Sequence, residues 1–296
     1  MSDFQTLANG LAGRMRADIA CPRCGPGRSN PRSQMAPKLR VWRLSDTALS
    51  YHCARCGWSG HIIDSLARQL SDADRKIIDL RLERARRKDA ADAARKQEFA
   101  AKLWRESRDS ARSAWVESYL GSRGLKLPPD DYERRRCLRF HANVPFPDDT
   151  SGPALLAGFK TIPLTIPRDP YDDPPVVALH RIRGRGANKF MLCPTKGAAI
   201  QFGEWQTACG VILHIAEGVE TMLAVLAKGH FPCWAMGSAQ AIASLPPLSY
   251  PRALMIWADA DEVGLNAARQ CARRWADAGV PARVRYLTDG GDYADV

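Results

Sequence analysis

The sequence predicts an α+β multidomain protein. It has a small β unit at the amino end, a helical connector, a mixed α+β basic segment, and a final α/β unit with a parallel sheet. Three observations predict it. Two Cys-x-x-Cys pairs stand at 21–24 and 53–56, residues 64–118 contain neither Pro nor Gly, and from residue 210 short apolar runs alternate with helix-period segments.

Residues 1–18 read as a short helix, and residues 19–63 hold the cysteine pairs with Pro, Gly and Arg between them. Cys21-Pro-Arg-Cys24 and Cys53-Ala-Arg-Cys56 lie 28 residues apart, and each second Cys precedes a Gly. A Cys-x-x-Cys turn delivers two thiolates from one loop, and two such turns make a tetrahedral zinc site. With all four positions filled by Cys the site is closed, so the expected Zn2+ is structural. VWRL and LSYHC supply strands between the pairs. Arg23, Arg28, Arg40 and Arg55 surround this unit, interleaved with Trp42, Tyr51 and Trp58. Cations and flat rings suit a single strand, with phosphates on the one and bases on the other. The two tryptophans equally suit the core of a unit with little else to bury.

Residues 64–124 read as a helical connector with a modest apolar stripe (Ile77, Ile78, Leu80, Leu82, Phe99, Leu103, Trp104), ending at the Gly-Ser-Arg-Gly turn of 121–124. The run ERARRKDAADAARKQ reads as a solvated face laced with i,i+4 pairs. From 125 to 208 the texture is β-like, with short apolar runs broken by Pro, Asp and Gly. From 209 to 296 strands and helices alternate. VILHIA (211–216) is a strand and VETMLAVLAKG (219–229) a helix closed by Gly229. CWAMG is a strand, and SAQAIASL a helix capped by Ser238. ALMIWA (253–258) is a strand, 262–279 a long helix, and RVRYL (283–287) the last strand. Such alternation implies parallel strands covered on both faces.

Charge divides the chain as well. Residues 1–60 carry nine Lys/Arg against three Asp/Glu, whereas residues 206–296 carry seven against nine. A basic body on an acidic end fits a gripped polyanion beside metal-dependent chemistry. No apolar run reaches membrane-spanning length and the N-terminus lacks a signal-peptide pattern, so a cytoplasmic protein with no membrane partner is expected. An odd cysteine count without an export signal points to a reducing compartment.

The acids of the last segment carry the chemistry. Glu217-Gly218 directly follows one apolar strand, and Asp259-Ala-Asp261 follows another, with Gly264 close behind. In an open parallel sheet, sites gather beyond the carboxyl ends of the strands. Convergent carboxylates there suit Mg2+ or Mn2+, ions that neutralise phosphate charge and activate an attacking hydroxyl. A helix cap would account for Asp261 but not for an acid that ends a buried run.

The ribbon, with CPRCG and CARCGWSGHIIDSL, resembles the zinc-binding domain of DNA primases, especially those of phages and plasmids. IAEGVETMLAV, MIWADADEVGLNAARQCARRWADAG and the terminal GGDYADV resemble the Toprim domain of the same primases. The resemblance implies catalytic metal ligation by Glu217, Asp259 and Asp261, with Asp292 a further ligand and Asp295 a weaker one. YLGSRGL, LRFHANV, VVALHRIRGRG and NKFMLCPTKGAAIQF resemble the segment that precedes Toprim. By position they would make Arg181, Arg183, Lys189 and Lys196 binders of nucleotide or template phosphate.

The expectation is therefore a DNA primase-like nucleotidyltransferase acting on single-stranded DNA and nucleotides by two-metal catalysis. Plasmid or phage replication is the setting that the resemblance suggests. No G-x4-G-K-[S/T] run occurs, so any helicase partner would be a separate polypeptide. The alternatives are a Toprim nuclease using water as nucleophile, and a non-catalytic nucleic-acid-binding accessory protein.

Overall fold

The computed structural model describes residues 3–28, 31–64, 72–107, 112–128, 137–169, 174–184 and 189–286. It divides into two compact units, Met1–Asp92 and Ala93–Val296.

In the first unit, helix α1 (Asp3–Leu11) buries Phe4, Leu7 and Leu11, the i, i+3, i+7 spacing of one helical face. It packs on a four-stranded antiparallel sheet in the order β1 (Arg16–Ala20), β2 (Pro37–Ser45), β3 (Ala48–Cys53), β4 (Ser59–Ile63). Leu39 and Val41 on β2 point into the same small core as Leu49, Cys21 and Cys53. A short helix, α2 (Pro31–Gln34), interrupts the β1–β2 connection. The sequence reading carried the first helix to residue 18, whereas it stops at Leu11. Ala12 and Gly13 take positive φ values of 46° and 79°, and the Arg14 N–H closes back on the Leu11 carbonyl. Residues 16–20 then pair with β2 as a strand.

Helix α3 (Asp72–Glu106) is as solvated as its charge pattern implies. From Asp79 to Phe99 every described side chain except the half-buried Asp92 is exposed, including Leu80. Glu83 and Arg87 form an i,i+4 pair at 2.8 Å. Among the described side chains the apolar stripe is buried near the end, where Ala100 and Leu103 enter a core of the second unit.

The second unit is organised by one mixed sheet of nine described strands. Its path runs β13 (Ala282–Arg285), β12 (Ala253–Trp257), β10 (Ile212–Ala216), β11 (Cys233–Ala235), β9 (Ala198–Phe202), β6 (Ser151–Thr161), β7 (Val176–Ile182), β8 (Lys189–Leu192), with β5 (Leu138–Pro145) paired to β6. The section β13-β12-β10-β11 is parallel, and the remainder is antiparallel. The β-like middle segment and the α/β end therefore share one sheet, joined where β9 pairs with β11.

Among the described residues this unit also holds the helices α4 (Ala114–Gly121), α5 (Trp205–Ala208), α6 (Val219–Ala227), α7 (Ala239–Ser244) and α8 (Glu262–Asp277). Covered faces explain the unbroken apolar runs. Leu213, Ile215, Leu254 and Ile256 face one core with Ala268, Cys271 and Trp275 of α8. Ala216 and Trp257 face the other, with Val219, Met222 and Leu223 of α6. Central β10 has parallel neighbours on both sides, so its carboxyl end opens into the middle of the parallel section.

Candidate metal centres and nucleotide site

The four cysteine sulfurs of the first unit all lie within 4.8 Å of one another. Cys21 and Cys56 are 3.9 Å apart and Cys24 and Cys53 3.8 Å. Tetrahedral zinc at about 2.3 Å from each sulfur sets them about 3.8 Å apart, so the donor set fits Zn2+. The turns are built for it. The Gly25 N–H returns to the Cys21 carbonyl and the Gly57 N–H to that of Cys53. Gly57 takes φ +72°, and a Cβ on Gly25 would sit 2.6 Å from the Cys21 oxygen. Burial works to raise the Cys53 thiol, but the N–H groups of Cys56 and Arg55 bring it down to about 7. Cys24 is pushed up to about 12, first by burial.

Arg23 lies over the Trp58 ring at 5.0 Å, and Trp58 packs on Tyr51 with centroids 4.3 Å apart. Arg40 makes a bidentate pair with Asp18 at 2.7 and 2.8 Å. Arg55 donates to the Ser33 carbonyl, while half-buried Arg28 accepts at its own carbonyl from Gln34. Arg23 is therefore stacked on a ring, and Arg40 and Arg55 are tied into the fold.

The acids sit at the parallel strand ends. β10 and β12 pair to their last residues, Ala216 opposite Trp257, and Glu217 follows one while Ala258 and Asp259 follow the other. The Gly237 N–H donates to the Glu217 carbonyl at 2.9 Å, and the Glu217 carboxylate accepts the Ala239 N–H. Burial, then the charges of Asp259 and Asp261, push the Glu217 carboxyl up to about 7. Asp261 is the N-cap of α8, with Oδ1 accepting the Gly264 N–H at 2.7 Å. Gly264 is required by close approach, since a Cβ there would lie 2.8 Å from the Asp259 carbonyl oxygen. Among the described residues only the cysteine quartet forms a group with every ligand atom within 4.8 Å. The Glu217, Asp259 and Asp261 carboxylates are close enough for the two aspartates to act on Glu217 through their charge. Asp292 and Asp295 lie outside the described residues.

The basic residues of the antiparallel part have different fates. Arg181 is buried, 5% exposed, and donates to the Pro145 carbonyl at 2.6 Å. Arg183 grips both oxygens of Asp148 at 3.2 and 2.9 Å and lies over Phe146 at 4.6 Å. That guanidinium, with Thr150, holds the Asp148 carboxyl down at about 2. Lys196 is exposed. Lys189 lies 2.5 Å from Glu220, a residue that sequence reasoning passed over. Its signal was an acid within the apolar turn VETMLAV, one turn beyond Glu217.

Residues 212–296 match the Toprim domain family. Residues 94–167 match a family described as a domain of unknown function (DUF7146). No curated protein matches the chain. Among solved structures, the chain is similar to the primase fragment of the bacteriophage T7 primase-helicase protein, with 19% identity over 60% of this chain and 67% of that one, TM-score 0.41. A DNA primase domain from Pseudomonas aeruginosa is similar with 14% identity over 68% and 74%, TM-score 0.43. The RNA polymerase domain of Mycobacterium tuberculosis primase DnaG is similar with 18% identity over 69% and 77%, TM-score 0.35. The Toprim part of the resemblance read from the sequence is met by the family match: residues 212–296, which hold Glu217, Asp259 and Asp261, match the Toprim domain family.

Proposed function

We propose that this chain is a DNA primase-like nucleotidyltransferase that synthesises short primers on single-stranded DNA. The observation that carries the reading is the convergence of Glu217 with Asp259 and Asp261 at adjoining parallel strand ends of a Toprim domain. The zinc-fitting cysteine quartet and the strand-rich segment before that domain support polymerisation over cleavage. In this reading residues 1–63 form the nucleic-acid-binding ribbon, 64–124 the connector, 125–208 the basic subdomain and 209–296 the Toprim domain.

Glu217, Asp259 and Asp261, with Asp292, would hold Mg2+ or Mn2+. When bound, the metal would neutralise phosphate charge and activate the attacking hydroxyl. The residues themselves do the rest. Glu217, directly beyond the carboxyl end of β10 and beside Asp259 and Asp261, is the carboxylate that accepts the proton of a primer 3′-hydroxyl. That oxygen bonds to the α-phosphorus and pyrophosphate leaves. Lys189 and Lys196 face nucleotide phosphate, and Arg23 with Trp58 faces the template strand. Plasmid or phage replication, a separate helicase partner and a cytoplasmic location belong to the same reading. Among the described residues no helix is long and apolar enough to cross a membrane.

The test is incubation with single-stranded DNA, labelled ribo- and deoxynucleotides and Mg2+ or Mn2+, comparing wild type with Asp259→Ala. Short labelled products that disappear in the variant support the primase. Shortened DNA in place of new products assigns the acids to a nuclease, and absence of both reactions leaves a binding protein.

A further inference from the structure

Glu220 lies outside the trio that defines the acidic site, and it is more deeply buried than Glu217. It is 3% exposed, in the first turn of α6, one helical turn beyond Glu217. Two donors converge on a single oxygen. Lys189 Nζ lies 2.5 Å from Oε1, and Tyr119 Oη donates to the same atom at 2.5 Å. Tyr119 belongs to α4 and Lys189 to β8, so one carboxylate ties three separate elements together. Burial alone would raise the Glu220 carboxyl, but Lys189 and then Tyr119 bring it below its ordinary value. His180 shares this field and is held at about 4 by burial, so near neutrality it adds no second cation.

Lys189 itself is not buried. Its side chain keeps 30% exposure while its partner has 4%. An ammonium carries three donors, and its contact with Glu220 occupies one. Its strand borders the acidic site. A Cβ on Gly237 would lie 3.4 Å from the Met191 methyl of β8, and the Gly237 N–H is the group that donates to the Glu217 carbonyl. On the other side, a Cβ on Gly218, the residue between Glu217 and α6, would lie 3.9 Å from the second Glu220 oxygen. A purely structural bolt would seal both partners away from water. Here the acid is sealed and the cation keeps its exposure to solvent.

We infer that Glu220 is a positioning residue that holds the Lys189 ammonium at the edge of the acidic site, oriented to receive a phosphate group. A free lysine gives up rotamer entropy when it grips a ligand, and Glu220 with Tyr119 removes that cost before the ligand arrives. Phosphate of a nucleotide and phosphate of a nucleic-acid strand share this chemistry. The inference rests on the proposed reading of the acidic site, but its readout is binding and not synthesis.

The experiment uses the full chain. Dissociation constants for Mg-ATP and for a labelled single-stranded oligonucleotide are measured for wild type, Glu220→Gln, Tyr119→Phe, Lys189→Ala and the double variant Glu220→Gln/Lys189→Ala, with thermal unfolding of each. Glu220→Gln is expected to weaken one of the two probes about tenfold, Tyr119→Phe about threefold, and Lys189→Ala about tenfold. The double variant is expected to be no weaker than Lys189→Ala alone, because Glu220 acts only through Lys189. Tyr119→Phe retains the ring and keeps the test open if Glu220→Gln fails to fold. Loss of affinity for Mg-ATP identifies a nucleotide phosphate, and loss for the oligonucleotide a strand phosphate. Variants that unfold earlier yet bind both probes like wild type overturn the inference, as do additive effects or a wild type that binds neither probe. Absence of primer synthesis overturns the primase reading alone, since the pattern of dissociation constants is read without it.

Discussion

Lys160 and Glu204 form an ion pair at 2.7 Å with side chains only 7% and 5% exposed, at the point where the antiparallel strands meet the parallel ones. Lys160 ends the part of β6 that pairs with β9, and Glu204 caps α5 just beyond β9. Two charges so placed have lost their water, and each depends on the other. Lys160→Met or Glu204→Leu alone strands a buried charge and is expected to destabilise the second unit by about 3–5 kcal/mol. Replacing both together is expected to cost far less than the sum. Urea unfolding of the two single variants and the double variant reads the difference, and additive losses would show that the pair is not coupled.

Stability below neutral pH should depend on His214. This side chain is buried on β10, and its Nδ1 accepts the Trp257 Nε1–H at 3.2 Å. Burial, then His230, then Arg285 lower its affinity for a proton, to about 4 against an ordinary 6.5. The unfolded chain therefore binds the proton more readily than the folded one between those values, and stability rises with pH across that window. From pH 7 to pH 5 the His214 contribution to folding falls by about 2 kcal/mol. His180 acts in the same direction. Glu217 acts oppositely: its raised value favours the folded state in acid, and that contribution fades as pH climbs toward 7. Comparing wild type with His214→Leu isolates the histidine. The variant is less stable at pH 7, because the Trp257 N–H loses its acceptor, yet it is expected to lose about 2 kcal/mol less on acidification. Parallel pH profiles for the two proteins would refute this.

What could be read from the sequence follows from how local each signal is. The strands around 212–216 and 253–257 and the helix beginning at Glu262 announce themselves through apolar runs and caps, because covered parallel strands must be apolar throughout. The cysteine turns are likewise local. The pairing of β9 with β11 is not, since Ala235 meets Ile200 across 35 residues, and nothing within either segment specifies the other. The end of the first helix is not local either, because Arg16–Ala20 has no apolar alternation strong enough to mark it as a strand. At the site, residue type could not reveal which cations were already engaged. Arg183 rests on Asp148 and Arg181 is buried beneath the sheet surface, whereas Lys189 owes its place to Glu220, distant in sequence. Such partners are tertiary facts.

Zinc should be part of the folding of the first unit and not an ornament on it. Cys21 and Cys53 belong to the same small core as Phe4, Leu7 and Leu39, and so few apolar residues cannot hold a unit of this size alone. Metal analysis of the full chain is expected to give about one zinc per chain. Cys53→Ser, which removes the thiol favoured by two backbone N–H groups, should reduce that to well under half. It should also open residues 1–63 to limited proteolysis. Full protection of that segment after chelation would show that the fold stands without metal.

Gly264 offers a test in which two physical effects oppose one another. It lies in the first turn of α8, where alanine is the better helix former by about 1 kcal/mol, and on propensity alone Gly264→Ala stabilises. The structure predicts the reverse. The added Cβ would stand 2.8 Å from the Asp259 carbonyl oxygen, 3.2 Å from the Asp259 Cβ and 3.2 Å from Asp261 Oδ1. Two of those atoms belong to Asp259 and the third to the cap that starts the helix, so relief displaces both acids. Gly264→Ala is therefore expected to destabilise by about 1–3 kcal/mol. It should also lower any metal-dependent activity about 100-fold, the effect of misplacing a reacting group by roughly an ångström. Urea unfolding gives the first quantity and the labelled-nucleotide assay the second. A variant that gains stability and keeps its activity would mean that the loop from Asp259 to Asp261 does not approach the helix as closely as described.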